Sequence, residues 1–169
     1  MSEDHPTHAY LVNAELIRAY SESELEAHFA SIPGLGIDPA LIGFITLHGV
    51  KIYKIVYRTI DPFGQPVLAS GALSVPTIDS EVPLPLVSLH HGTIRNDRDA
   101  PSNFQNSMEA RFFAPLMSSG TSAYIVAIPD YLGYGESRQI PTLTSTPLHW
   151  PRPVGICCGP PESFVSNCR

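Results

Sequence analysis

Apolar positions change their spacing several times along the chain, and each change marks a predicted element. From about Ala14 to Ile32, Leu16, Ile17, Tyr20, Leu25, Phe29 and Ile32 recur at near-helical intervals. Ser21-x-x-Glu24 and Ser23-x-x-Glu26 are overlapping capping-box candidates, in which serine and glutamate side chains satisfy each other's backbone N–H groups. The segment predicts two short helices rather than one long one. Pro33-Gly34-Leu35-Gly36 stops the pattern, and Val50 to Thr59, rich in Val, Ile and Tyr, predicts a strand. Asp61-Pro62-Phe63-Gly64 has turn chemistry, since Pro sets φ at the first corner and Gly tolerates positive φ. A second strand, about Val67 to Val75, should therefore pair antiparallel with the first.

The apolar run Leu84 to His90 suits a short strand covered on both faces. From Phe104 to Met117, the residues Phe104, Met108, Phe112 or Phe113, and Leu116 fall three or four apart, predicting a helix with one apolar stripe. Ala123 to Ile128 follows as another buried strand. Strand, helix and strand in that order imply a parallel βαβ unit with a right-handed crossover. The predicted class is α/β, a mostly parallel sheet opened by an antiparallel hairpin. Residues 1–49 form a helical lead-in, 50–138 a partial core and 139–169 an irregular tail. That tail holds six of the 17 prolines, all three cysteines and the only Trp, with neither helical nor alternating period.

A chain of 169 residues is the size of one domain, ~100–200 residues being usual. With ten Lys plus Arg and a formal net charge of -6, it lacks the clustered positive charge that tracks phosphates, so nucleic acid is excluded as a partner. The longest uncharged stretches, Phe112 to Pro129 and Pro62 to Ile78, are broken by Pro, Gly, Ser and Thr. Neither offers the ~20 continuous apolar residues of a membrane span. The acidic start, Met1-Ser2-Glu3-Asp4-His5-Pro6, has no basic region and no apolar run of a secretory signal, which points to the cytoplasm. Cys157, Cys158 and Cys168 are too few and too clustered for a disulfide framework. With His149 they number four potential zinc ligands, but adjacent cysteines do not match the usual two-to-four-residue separation, and free thiols are the simpler reading.

Two loops sit at the carboxyl ends of the predicted buried strands, where open α/β sheets place ligands. The first is His90-His91-Gly92-Thr93, where a Gly corner lets neighbouring N–H groups point at a developing negative charge. The second is Asp130-Tyr131-Leu132-Gly133-Tyr134-Gly135-Glu136-Ser137, whose glycines allow a sharp loop while Asp130 can accept backbone N–H bonds. His91 either shapes the first loop or merely satisfies backbone groups. His90 reads as a packed strand-end residue, and Ser102 and Ser137 as polar loop residues. Gly133-x-Gly135 fails as a nucleotide loop because Arg138 stands at the third glycine position.

Across about Leu11 to Ser137 the sequence resembles the α/β-hydrolase family, in particular its secretory-lipase-like esterases. The resemblance rests on the strand ending in His91-Gly92-Thr93, on Ala100-Pro101-Ser102, and on Pro129-Asp130-Tyr131-Leu132-Gly133-Tyr134-Gly135-x-Ser137. It implies that His91, Gly92 and Thr93 build an oxyanion loop, that Asp130, Tyr131, Gly133 and Gly135 support it, and that no cofactor is needed. It also implies a small acyl-ester or lipid-like substrate for the complete parent, in a family often secreted. The family nucleophile lies in Gly-x-Ser-x-Gly, followed by an acid and a His. No Gly-x-Ser-x-Gly occurs in this sequence. His91 precedes the place of the nucleophile and cannot be the triad base, and His149 has neither strand nor acid beside it. The expected molecule is an ester-hydrolase front portion truncated before its nucleophile elbow, inactive alone, with an open sheet edge that invites self-association. The alternatives are a non-catalytic α/β binding module and a frameshifted or incomplete gene product.

Overall fold

A computed structural model describes residues 10–31, 47–79 and 83–141. Within them the chain forms β1 (Leu11–Tyr20), α1 (Glu22–Ala30), β2 (Val50–Ile60), β3 (Pro66–Pro76), β4 (Leu86–Ser88), α2 (Ala114–Ser119) and β5 (Ile125–Pro129). The strands make one sheet in the order β1-β2-β3-β5-β4. The predicted hairpin is present, with Val50 opposite Pro76 and Ile60 opposite Pro66. Its turn closes as the residue types require: Asp61 Oδ1 accepts from Phe63 N and Gln65 N, both at 2.8 Å, and Gly64 takes φ +79°.

The sheet is not mostly parallel. Among the described strands, β1/β2, β2/β3 and β3/β5 are antiparallel and only β4/β5 is parallel. The parallel pair comes from the βαβ unit the sequence predicts, while β5 joins the hairpin antiparallel to β3 and an additional N-terminal strand adds a third antiparallel pair. That strand replaces the first of the two predicted helices. Leu11 to Tyr20 pairs with β2 across register shifts at Leu11/Asn13 and Leu16/Arg18. Each shift displaces the alternation by one residue, so Leu16, Ile17 and Tyr20 fall at intervals that imitate a helix. The second predicted helix is α1, and its N-terminus is the Ser21/Glu24 capping box.

α1 buries Leu25 and Phe29 completely or nearly so against Val50, Ile52, Phe112, Val126 and Ile128. Each such side chain stabilises by about 1.5–3 kcal/mol relative to exposure. Phe29 meets Phe112 edge-to-face at 5.4 Å. The helix predicted over Phe104 to Met117 is shorter and begins differently. Phe104 has φ +48°, Glu109–Phe113 makes a wider π turn, and regular α-helix follows only at Ala114. The π turn offsets the apolar stripe, leaving Phe112 buried and both Met108 and Phe113 exposed. β4 is an edge strand with Leu86 68% exposed, so the described structure does not cover it on both faces. Residues 32–46 and 142–169, including Pro33–Gly36, His149 and the three cysteines, lie outside the described residues.

Candidate functional site

Because β4 and β5 run parallel, the loops that follow them emerge at the same end of the sheet. Tyr131 joins these loops directly. Its hydroxyl donates to the His91 carbonyl at 2.9 Å, and its ring stacks on the His91 imidazole at 4.1 Å. Tyr134 makes a second cross-connection, donating its hydroxyl to the Ile94 carbonyl at 2.8 Å. Both aromatic residues thus serve the first loop by gripping its backbone.

His91 is 4% exposed. Its Nδ1 lies 2.7 Å from the Gly92 carbonyl, which can only accept, so Nδ1 carries the proton in that bond. Nε2 is buried, with no hydrogen-bond partner among the described residues. Gly92 and Thr93 are exposed at the corner. Gly92 does not take a positive φ, and a Cβ built on it would meet nothing within 4 Å. Gly92 therefore makes no use of the positive φ open to glycine, and open space lies where its side chain would be. The Gly92 N–H donates to Glu109 Oε1 over a long 3.4 Å, and Glu109 Oε2 accepts from the Ser107 hydroxyl at 3.2 Å.

The second loop is built around Asp130, which is 3% exposed. Its Oδ2 accepts from Ser70 Oγ at 2.6 Å and its Oδ1 from Ser102 N at 2.9 Å. Asp130 therefore secures the preceding loop and β3. Ser70 passes the connection on, accepting from Glu136 N at 2.9 Å. Gly133 and Gly135 have φ +95° and +57°, as a sharp loop demands. Gly135 N donates to Asp97 Oδ1 at 2.6 Å, which ties the second loop to the 3₁₀ turn Asp97–Asp99. Ser137 is fully buried, accepting from Gly133 N at 3.1 Å and donating to the Tyr134 carbonyl at 2.9 Å.

Charge follows this geometry. Burial, and behind it the negative charge of Asp130, pushes the Tyr57 phenol above its ordinary range. The hydrogen bond and charge of Lys54, at 2.9 Å, hold Glu136 below the usual carboxylate range. Among the described residues no group of three His, Cys, Asp or Glu is placed to hold a metal ion, and no helix is long and apolar enough to cross a membrane.

The structure brings His91, Gly92, Thr93, Asp130, Tyr131, Gly133 and Gly135 to one end of the sheet. Sequence reasoning did not single out Ser70, Asp97, Tyr134 or Glu109, and it gave Ser102 and Ser137 no structural part. One signal for Ser70 was available: Ala69-Ser70-Gly71-Ala72 is a run of small residues, all buried. Such a run marks close approach of other backbone. A Cβ at Gly71 would collide with the backbone of Ile128 and Pro129.

Solved structures share the fold. The chain matches a provisionally named hydrolase from Legionella pneumophila at 26% identity and TM-score 0.58, over 75% of this chain and 32% of that one. It also matches the rice cell wall degrading esterase LipA from Xanthomonas oryzae at 22% identity and TM-score 0.53, over 78% of this chain and 31% of that one. The fold is hydrolase-like. The chain spans about a third of the length of these structures. No family model matches it, and no curated protein matches it in sequence.

Proposed function

We propose that this chain supplies the front part of a serine carboxylic-ester hydrolase of the α/β-hydrolase type, and that it is catalytically silent alone. In the complete enzyme a Ser attacks the acyl carbonyl, a His carries the proton, and backbone N–H groups at Gly92 and Thr93 stabilise the tetrahedral oxyanion, the Gly92 N–H giving up its long 3.4 Å bond to Glu109 Oε1 to do so. The observation that carries the reading is the Tyr131 hydroxyl on the His91 carbonyl at 2.9 Å, which fixes the corner after β4 against the loop after β5. Open space before Gly92 supports it, as does the absence of Gly-x-Ser-x-Gly from the sequence. The substrate class is a small acyl ester or a lipid-like ester. Asp130, Tyr131, Gly133 and Gly135 hold the oxyanion loop in place and do not react. Pairing of the open β4 edge with another strand, including that of a second copy, belongs to the same proposal.

A chimera tests it. Residues 86–137 replace the aligned segment of the Xanthomonas esterase, and turnover of a p-nitrophenyl ester is followed. The expected result is retained turnover that falls about 100-fold when Thr93→Pro removes one N–H donor. A folded chimera without turnover, or one indifferent to Thr93→Pro, refutes the oxyanion assignment. The 169-residue chain itself should take up no serine-directed phosphonate, and stoichiometric labelling would overturn its silence.

A further inference from the structure

We propose that the cleft between β1, α1 and the Phe104–Arg111 segment binds a small carboxylate with an apolar body. The cleft has a volume of about 260 Å³ and is lined by Ile17, Arg18, Tyr20, His28, Phe104, Gln105 and Arg111. Two arginines therefore line one cavity on a chain whose net charge is -6. Like charges brought together repel, and an anion between them removes that cost. Among the described residues neither arginine has an ion pair. Arg18 lies over the Tyr20 ring, 5.2 Å from its centroid, and Arg111 Nη1 donates to the Gln105 carbonyl at 3.1 Å. A guanidinium has five N–H donors, so both keep unused ones.

Other nearby polar groups are committed elsewhere. His28 Nε2 faces the Arg111 carbonyl at 2.9 Å and donates to it, while its ring stands 5.0 Å from that of Tyr20. Glu24, the acid whose charge couples to Arg18, accepts from both the backbone N and the hydroxyl of Ser21 within the capping box. Planar guanidinium forks match a carboxylate or a phosphate. The walls decide between these, because Ile17, Tyr20 and Phe104 offer apolar and aromatic surface that a bare phosphate cannot use. The volume falls below the roughly 300–1,000 Å³ of pockets for drug-sized ligands, which limits the occupant to a small molecule. None of these lining residues belongs to the His91–Thr93 corner or the Asp130–Ser137 loop, so the proposal stands or falls separately from the ester-hydrolase reading.

The experiment titrates the 15N-labelled 169-residue chain with benzoate, benzamide and inorganic phosphate at neutral pH, following the arginine Nε–H signals and the Gln105 amide. Saturable shifts with benzoate are expected at Arg18, Arg111 and Gln105, with benzamide at least tenfold weaker. Arg18→Gln and Arg111→Gln should each weaken benzoate by about tenfold, the worth of one charge-assisted hydrogen bond, while Lys51→Gln changes nothing. If either Gln variant loses its native spectrum, Arg18→Lys and Arg111→Lys decide, because Lys keeps the charge, loses the fork and should bind measurably less tightly. Absence of benzoate shifts, equal affinity for benzamide, tighter binding of phosphate, or folded variants that bind as the parent does would each overturn the proposal.

Discussion

Gly135→Ala puts the network around Asp130 to its most direct test. Two separable costs are expected. The first is conformational: at φ +57° an alanine is strained by about 1–2 kcal/mol, offset by roughly 0.5 kcal/mol from a stiffer unfolded chain. The second is steric, since the new Cβ lands within the van der Waals envelopes of Ser70 Oγ and Asp130 Oδ2. To make room, Ser70 must leave Asp130, breaking a buried bond to a carboxylate worth about 1.5–3 kcal/mol, and must release Glu136 N, worth about 1 kcal/mol more. The expected destabilisation is therefore about 4 kcal/mol. Gly64→Ala isolates the first cost, because Gly64 has φ +79° with nothing within 4 Å of the added Cβ. It should lose only about 1 kcal/mol. Urea unfolding of both variants reads the difference, with equal slopes required for the comparison. If Gly135→Ala falls within about 1 kcal/mol of Gly64→Ala, the buried network contributes nothing of consequence and the account of this loop is wrong.

Other perturbations probe separate parts of the structure. Ser21→Ala removes the side chain that closes the capping box of α1 and should cost about 1 kcal/mol, seen as a lower urea midpoint. The Lys54–Glu136 pair depresses the Glu136 pKa, so its contribution is present above the ordinary carboxylate range and disappears as pH falls through the depressed value. With the side chains 30% and 38% exposed it is worth well under ~1 kcal/mol, and Glu136→Gln should flatten the acid limb of the stability profile by no more than that. Tyr57, raised by burial and by Asp130, should titrate at lower pH in Asp130→Asn without reaching an unburied tyrosine's value, since the larger cause remains. Ring-labelled tyrosine NMR across the alkaline range checks this; an unmoved Tyr57 would contradict the coupling.

The elements read correctly from sequence are those whose burial is one-sided or complete. The hairpin has strong turn chemistry at Asp61–Gly64, and β5 is a short apolar run whose Val126 and Ile128 are indeed buried. β1 was illegible for the opposite reason. Eight of its ten residues are exposed, including Leu11, Val12 and Leu16, so neither face is selected by a core, and two register shifts remove what alternation remains. Helical period and bulged strand are then indistinguishable in the apolar pattern, and only pairing with β2 decides.

The candidate site divides along the same line. Glycines at 133 and 135 announce themselves because positive φ is a local demand that few residues meet. The partner of Asp130 does not, because Ser70 sits sixty residues earlier in a strand where a small polar residue is unremarkable in sequence. Its importance arises only when β3 and β5 pair and bring Gly71 against Pro129, which places Ser70 where the Asp130–Ser137 loop turns back. Close approach is what forces every residue at this junction to be small: Ala69, Ser70, Gly71 and Ala72 on the strand, and Gly135 on the loop. A buried carboxylate in so narrow a space can be satisfied only by short donors or by backbone, and a serine hydroxyl and the Ser102 N–H are what it has. The corner proposed to hold the oxyanion takes its position from this junction through Tyr131 and Tyr134, whose hydroxyls reach from the loop Asp130 anchors to the carbonyls of His91 and Ile94. Residues given only a supporting part in the proposed function thereby set the geometry of those proposed to meet a substrate.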